Sequence, residues 1–220
     1  MRRLALVLLI WIGTASAQEP LGEPVTGEAK ATFLAMWSQR LQALQGLHMV
    51  FTQTKQLKVL RQPLVTQGEL WLKGDLLRYT LKNTVGETEL DLLMDSQTVR
   101  TYYPLLHTLE VLDLRTAGAP PVTLPFLRGG PDALSKAYEV ELFRRAEQDI
   151  LRLVPRDTNV PLQEMRLVLR DFQPQEVIQI EKNGTSVHMR IAEFTINPEI
   201  PEAQLALQIP PGTKVTYPLR

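Results

Sequence analysis

The segment Val50–Leu81 constrains the fold more than any other part of the sequence. It contains three short runs that are typical of β-strands, namely Phe51–Lys55, Gly68–Lys73 and Leu77–Leu81. Bulky apolar residues fill these runs, and no grouping of residue types typical of a catalytic site accompanies them. A sheet with so much apolar surface is predicted to hold something apolar, which is either another molecule or the protein's own core.

The N-terminal residues 1–17, MRRLALVLLIWIGTASA, are typical of a secretory signal peptide. Arg2 and Arg3 form its positive start, Leu4–Ile12 its apolar stretch and Ala15–Ala17 its cleavage site. The apolar stretch is about half the roughly 20 residues that a membrane-spanning helix needs, which argues against an uncleaved anchor. The mature protein is therefore expected to begin near Gln18.

The remaining length suits one sizeable domain over residues 28–220, preceded by a flexible lead-in at 18–27. Lys plus Arg number 24, as do Asp plus Glu, so the formal net charge is zero. Nucleic-acid-binding proteins carry a basic excess, and this balance therefore argues against a nucleic-acid partner. The chain has no cysteine, so we expect neither a disulfide nor a lipid-modified cysteine after the cleavage site.

An amphipathic helix is predicted from Glu28 to Leu47, with Thr26 as its N-cap and Gly46 near its end. Spacings of three and four residues place the apolar side chains on one face, which must pack against another element. These side chains are Phe33, Trp37, Leu41, Leu44 and Leu47.

Beyond the helix the apolar period shifts toward two, which predicts strands with one dry and one wet face. Lys73–Asp75, Asp95–Ser96 and Asn183–Gly184 are typical of tight turns, so antiparallel pairing is expected. A Pro/Gly-rich insert at 117–131 precedes a short helical piece from Asp132 to Ala137. Such a sheet should curl around its apolar face, with helices filling the opening. The predicted strands lie near 49–57, 65–73, 76–82, 88–94, 97–103, 107–113, 138–144, 150–154, 162–170, 175–181, 186–195 and 203–209.

Catalytic and cofactor motifs are absent from the sequence. It has no nucleophile elbow, phosphate loop, dinucleotide fingerprint or zinc-protease helix, and its three histidines are far apart. The carboxylates Glu87, Glu89 and Asp91 alternate along one predicted strand, where a solvent-facing side explains them. We therefore expect no enzymatic activity, metal or other cofactor, although a secreted hydrolase with an unrecognised site stays an alternative.

An ordered series of segments resembles the periplasmic outer-membrane lipoprotein carrier family, the LolA-like proteins. The series covers nearly all of the mature chain, and the order carries more weight than any single segment. Its members are Trp37–Gln53, Gly68–Lys73, Leu76–Tyr79, Gln97–Pro104, Leu124–Leu127 and Ile209–Val215.

This resemblance implies an α+β, mainly β fold: an unclosed antiparallel β-barrel with an N-terminal amphipathic helix and a helical lid. It also implies a monomeric periplasmic carrier that receives an acylated lipoprotein from an inner-membrane transporter and passes it to an outer-membrane receptor. Phe126 and Leu127 lie in the segment similar to the lid. Lid closure over the empty cavity would bury them, so that cargo must displace them and net affinity becomes a difference between two burials.

The predicted cavity residues have two origins, and ordinary core packing explains each of them equally well. Helix and strand positions similar to those lining the family's cavity are Trp37, Leu41, Leu44, Leu77 and Tyr79. Alternation alone adds Leu70, Leu72, Leu81, Leu90 and Leu92.

Several positions depart from the family pattern. Gly74 stands where the family often has an arginine that holds the lid, so another residue such as Arg78 would have to take that role. Arg100 replaces a common tryptophan, Thr101 replaces a common aromatic residue, and Arg128 lies in the lid-like segment. These differences leave open a carrier or sensor of another lipid.

Overall fold

One antiparallel sheet forms most of the molecule in the computed structural model, which describes residues 20–117 and 130–218. The sheet has thirteen strands. Three α-helices lie between them along the described part of the chain: α1 (Gly27–Gln42), α2 (Leu114–Ala117) and α3 (Gly130–Ala137). The strands are β1 (Glu23–Val25), β2 (Gly46–Gln56), β3 (Leu64–Lys73), β4 (Leu76–Lys82), β5 (Thr88–Met94), β6 (Thr98–Tyr103), β7 (Thr108–Asp113), β8 (Tyr138–Arg145), β9 (Gln148–Pro155), β10 (Leu162–Arg170), β11 (Gln173–Glu181), β12 (Ser186–Ile196) and β13 (Lys214–Thr216).

The strand order across the sheet is β1-β8-β9-β10-β11-β12-β2-β3-β4-β5-β6-β7-β13, which leaves the barrel unclosed. Neighbouring strands pair antiparallel except β13, which lies parallel to β7. The prediction of a mainly β fold with an unclosed barrel and an N-terminal helix is confirmed. The centre of the lid-like segment, 122–127, and the leader, 1–17, lie outside the described residues.

Helix α1 ends earlier than its apolar spacing predicts. Leu44 and Leu47 continue the helical spacing, but the helix ends at Gln42, and Gly46 already begins β2. The reason lies far along the chain, because the Asn197 side chain accepts hydrogen bonds from the N–H groups of Gln45 and Gly46. At the start of the helix, Thr26 occupies the N-cap position in an extended conformation without a side-chain capping bond.

The core lies between α1 and the inner face of the sheet. Phe33 and Trp37 project from the helix and are buried, together with alternate residues of the central strands such as Leu47, Met49 and Phe51 of β2. Burial of this apolar surface contributes roughly 25 cal/mol for each Å² removed from water. The apolar face of α1 and the apolar face of the sheet, both of which the sequence predicts, therefore pack against each other.

The predicted strand at 203–209 is wrong. Glu202–Leu205 instead forms a short 3₁₀ helix that packs against β4, with Leu205 buried. The alternation of Leu205, Leu207 and Ile209 resembles a strand, but this segment crosses the outer face of the sheet, where no edge is available for pairing. After β12, the chain pairs with an edge of the sheet at β13.

The segment at 18–27, expected to be a flexible lead-in, contains the short strand β1. Glu23–Val25 pairs with residues 142–144 of β8 and forms one edge of the sheet. Across residues 20–117 and 130–218, no helix has both the length and the apolar composition needed to span a bilayer.

Candidate functional site

An apolar cavity of about 200 Å³ lies between the C-terminal half of α1 and the inner face of the sheet. Trp37 and Leu41 of α1 line one side of it, together with Leu44 just beyond the end of the helix. Strands β10 and β12 supply the opposite wall through Leu167, Leu169, Phe194 and Ile196, and the β10–β11 turn contributes Phe172. The walls of this cavity can hold an apolar group by burial but offer little for chemistry.

Phe172 covers one side of the cavity. Its ring stacks on Phe33 of α1 with the ring centroids 5.0 Å apart, and the Arg40 guanidinium carbon lies 4.6 Å from the Phe172 centroid. Asp171 and Phe172 both have left-handed backbone conformations, with φ of 50° and 65°. A bulky side chain rarely adopts this conformation, so the aromatic and cation–π contacts compensate for local backbone strain.

Asn197 fixes the helix at the same end of the cavity. Its Oδ1 accepts from Gln45 N at 2.8 Å and from Gly46 N at 3.0 Å, while its Nδ2 donates to Ala43 O at 3.1 Å. One side chain thus pairs with three backbone groups of the α1–β2 connection, and one of them is a carbonyl at the end of the helix. The end of β12 therefore holds the α1–β2 connection in place.

The remaining predicted cavity residues lie on the inner face of the sheet, but they do not line this cavity. The strand register aligns Leu70 with Tyr79 and Leu92, and Leu72 with Leu77, on one side of the sheet. Leu70, Leu72, Leu77, Tyr79 and Leu92 are buried, while Leu81 and Leu90 are half-buried against the same core. Phe126 and Leu127 lie outside the described residues.

Two polar side chains, Tyr79 and Gln53, form a hydrogen-bonded pair on this otherwise apolar inner face. The Tyr79 hydroxyl donates to Gln53 Oε1 at 3.1 Å, and burial raises the pKa of the Tyr79 hydroxyl far above its ordinary value. Thr101 is also buried and aligns with Leu92, which puts a hydroxyl group on the inner face where the family often has an aromatic residue.

The departures at Arg78 and Arg100 lie on the outer face. Arg78 donates to both carboxylate oxygens of Asp91, at 3.0 and 2.7 Å, and to Gln204 O at 3.3 Å. These contacts join it to the C-terminal segment, on the side of the sheet opposite α1. Arg100 aligns with Leu93, which is next to Arg78 in register, so it adds no charge to the inner face.

The turn at Gly74 shows why a glycine suits that position. Its φ is +56°, a conformation that glycine adopts without strain, and no atom lies within 4 Å of a Cβ built there. Its N–H donates to Gln45 O, which connects the β3–β4 turn to the end of α1.

Sequence reasoning missed the β10–β12 side of the cavity. Leu167, Leu169, Phe194 and Ile196 fall in predicted strands, but only the folded register brings them opposite Leu41 and Leu44. A phenylalanine placed directly after Asp171 in a hairpin turn is the one local signal that could have identified Phe172. Within the described ranges, no cluster of three or more His, Asp or Glu side chains could hold a metal ion.

An unclosed antiparallel sheet curled around the apolar face of an amphipathic helix, with an apolar cavity between them, defines a class of proteins that bind apolar ligands. The family model described as "Outer membrane lipoprotein carrier protein LolA" matches residues 42–206, and the chain belongs to this family. The predicted family is therefore confirmed. The family is one of lipid- and lipoprotein-binding carriers.

Solved structures are similar to this chain at low sequence identity. An uncharacterized conserved protein from Thermus thermophilus is 16% identical, with a TM-score of 0.51, over 86% of this chain and 99% of that chain. A LolA superfamily protein from Nitrosomonas europaea is 11% identical, with a TM-score of 0.44, over 79% and 97% of the two chains. MucB of Pseudomonas aeruginosa, in its complex with MucA, is 15% identical, with a TM-score of 0.43, over 80% and 61%. No curated protein matches significantly.

Proposed function

We propose that this protein is a periplasmic carrier that binds the acyl chains of lipoproteins in an apolar cavity. It takes its cargo from an inner-membrane transporter, carries it across the periplasm and delivers it to an outer-membrane receptor. The observation that carries the proposal is the apolar cavity between α1 and strands β10 and β12. Family membership supports the same conclusion.

Release is as important to a carrier as binding. Each buried methylene group contributes roughly 0.8 kcal/mol, so a few acyl chains in a rigid apolar cavity would be held too tightly to transfer. A cavity of about 200 Å³ is small beside the roughly 300–1,000 Å³ typical of ligand sites, so cargo must displace side chains that fill the space beforehand. We propose that Phe126, Leu127 and Phe172 are displaced in this way, which lowers the net affinity.

A spheroplast release assay tests the proposal. Purified protein is incubated with spheroplasts that contain a triacylated lipoprotein, and the supernatant is examined for a soluble complex of the two. We expect the wild-type protein to release the lipoprotein and Leu44→Asp to release much less, because the charge enters the cavity wall. Met36→Asp places the same charge on an exposed position of α1 and should behave as the wild type. Failure of the wild-type protein to release any lipoprotein would contradict the proposal.

A second candidate is a carrier or sensor of a different lipid. The Tyr79–Gln53 pair and Thr101 favour it, because they offer hydroxyl and amide groups on an otherwise apolar inner face. Native mass spectrometry of protein purified from the periplasm separates the two candidates. A bound free lipid supports the second one, whereas a bound acylated lipoprotein supports the first.

A further inference from the structure

Large apolar side chains are exposed at one end of the sheet. Several hairpin connections project from this end, the β9–β10 connection at 156–161 among them, and we call four of them together the loop end: residues 57–63, 83–87, 104–107 and 182–185. The register pairs Lys55 with Leu64 and Lys82 with Thr88, so the connections that follow β2 and β4 project from the same end. The same reasoning places the β6–β7 and β11–β12 connections beside them.

The most exposed apolar side chains of the described residues concentrate at the loop end. Val59 is 87% exposed, Val85 77%, Leu106 71% and Leu105 62%. Leu64 and Val65 continue the exposed surface onto the start of β3. Single exposed apolar residues are ordinary, but a set on adjacent hairpins marks an interaction surface.

The fold holds the longest of these loops in its exposed conformation. The Gln56 side-chain amide donates to Leu57 O at 3.2 Å and to Leu60 O at 3.1 Å, and the Leu60 N–H donates to Leu57 O at 3.1 Å. These bonds close a turn with Val59 at its tip. The exposure of Val59 is thus a property of a hydrogen-bonded turn.

The charge at the loop end is cationic. The four connections contain Lys58, Arg61 and Lys182 against a single carboxylate, Glu87, and no acidic residue occurs from Thr54 to Gly68. The Lys58 side chain packs against Gly184 so closely that it would overlap a Cβ built on Gly184. Lys58 and Arg61 therefore flank the exposed tip at Val59, and Lys182 lies on the neighbouring hairpin.

We propose that the loop end is a peripheral contact surface for a bilayer that contains anionic lipids. Val59, Val85, Leu105 and Leu106 would enter the headgroup region, while Lys58 and Arg61 would lie at the level of the lipid phosphates. Successive hairpins are two strands apart, about 10 Å, so the four connections extend over about 30 Å along the sheet. Apolar tips flanked by cations are the combination that binds reversibly at a membrane surface.

This surface is distinct from the cavity. The cavity is bordered by Asn197 and by the β10–β11 turn, both at the opposite ends of their strands. Substitutions at the loop end can therefore change membrane contact without changing the cavity wall. The inference needs no bound cargo, so its test does not depend on the proposed carrier function.

Sedimentation with lipid vesicles tests the proposal. The protein recovered after export, with the loss of residues 1–17 verified by mass spectrometry, is mixed with vesicles of phosphatidylethanolamine and phosphatidylglycerol. Vesicles of phosphatidylcholine alone serve as the neutral comparison. We expect partition onto the anionic vesicles that weakens as salt rises, because added ions screen the attraction between Lys58, Arg61 and the lipid phosphates.

Two variants assign the partition to the loop end. Val59→Asp is expected to lower the partition coefficient about tenfold, because an apolar side chain is no longer buried in the membrane. Arg61→Glu is expected to lower it about fivefold or more on anionic vesicles alone. Met36→Asp adds the same charge on α1 and should partition as the wild type does.

Three results would overturn the proposal. They are absence of partition by the wild-type protein, equal partition onto phosphatidylcholine, and partition that Val59→Asp leaves unchanged. Binding only to native membranes and not to lipid vesicles would identify a protein partner for this surface instead.

Discussion

The ring of Phe51 lies directly over the backbone of Gly68 on the neighbouring strand. These residues are paired in the β2–β3 register, and a Cβ on Gly68 would stand 2.0 Å from Phe51 Cζ. Phe51 is almost fully buried and stacks on Tyr79 with ring centroids 5.6 Å apart. The missing side chain at position 68 therefore makes room for the aromatic packing inside the wall formed by β2, β3 and β4.

We predict that Gly68→Ala lowers the free energy of unfolding by about 2 kcal/mol, because the added methyl group overpacks a full site. Urea denaturation followed by tryptophan fluorescence measures the change. In a Phe51→Leu background, Gly68→Ala should lower the free energy of unfolding by clearly less, since the smaller leucine side chain leaves room for the methyl group. Equal costs in the two backgrounds would refute the steric explanation.

For Phe172 we predict an inversion of the usual order of alanine and glycine. Phe172→Ala and Phe172→Gly both lose the contacts with Phe33 and Arg40, but only glycine relieves the left-handed backbone. The glycine variant should be more stable by about 1 kcal/mol. At Gln175, within β11, the same pair of substitutions should give the ordinary order, with alanine the more stable. Thermal unfolding of the four variants provides the comparison, and a more stable alanine variant at position 172 would contradict the prediction.

Asn197→Ala is predicted to destabilise the protein by about 2 kcal/mol, because Gln45, Gly46 and Ala43 lose their shared partner. Asn197→Gly removes the same bonds but suits the left-handed φ of 51°, so it should cost less. Amide hydrogen exchange is expected to increase first at Gln45 and Gly46. Unchanged exchange at these two amides in both variants would mean that Asn197 does not hold the helix end.

The pH dependence of stability should have a contribution from Glu164. Burial disfavours the Glu164 carboxylate, but Arg152 at 2.8 Å and Arg166 at 2.6 Å outweigh this and lower the pKa of Glu164. The pKa is therefore lower in the folded state than in the unfolded state. Its stabilising contribution is present above the unfolded pKa of about 4.3 and is lost as the pH falls through the folded pKa.

Glu164→Gln should accordingly lower the free energy of unfolding by about 1–3 kcal/mol at neutral pH. The difference in this free energy between variant and wild type should shrink below about pH 4. Denaturation at a series of pH values measures both. Glu147→Gln changes an exposed carboxylate 3.9 Å from Arg170 and should have little effect at any pH. If the free energy of unfolding of Glu164→Gln were below that of the wild type by the same amount at every pH, the ionisation of Glu164 would not contribute to stability.

The strands from β2 to β7 were predictable to within a few residues, because alternation and turn residues are local signals. At Lys73–Asp75 and Asp95–Ser96, for instance, the turn residues themselves define where one strand ends and the next begins. The end of α1 was not predictable from local signals. Leu44 and Leu47 continue its apolar spacing, and the contact that ends the helix comes from Asn197, more than 150 positions along the chain.

In the candidate site, too, one part was predictable from local signals and another part was not. The α1 side of the cavity follows from the spacing of Trp37 and Leu41, which an amphipathic helix presents to a sheet, and Leu44 continues that spacing just beyond the end of the helix. Its opposite wall depends on which strands lie beneath the helix, and this is decided by the β10–β12 register. Alternation could place Leu70 and Leu92 on the inner face, but it could not separate core from cavity wall.

The two outermost strands of the sheet, β1 and β13, are only three residues long. Each covers part of a longer strand, and beyond the end of β1 the Lys30 ammonium donates to the carbonyl of Val140 on β8. Short edges that carry a lysine are poor templates for adding strands from another molecule. The first and last strands of so large an open sheet thus protect it against edge-to-edge aggregation.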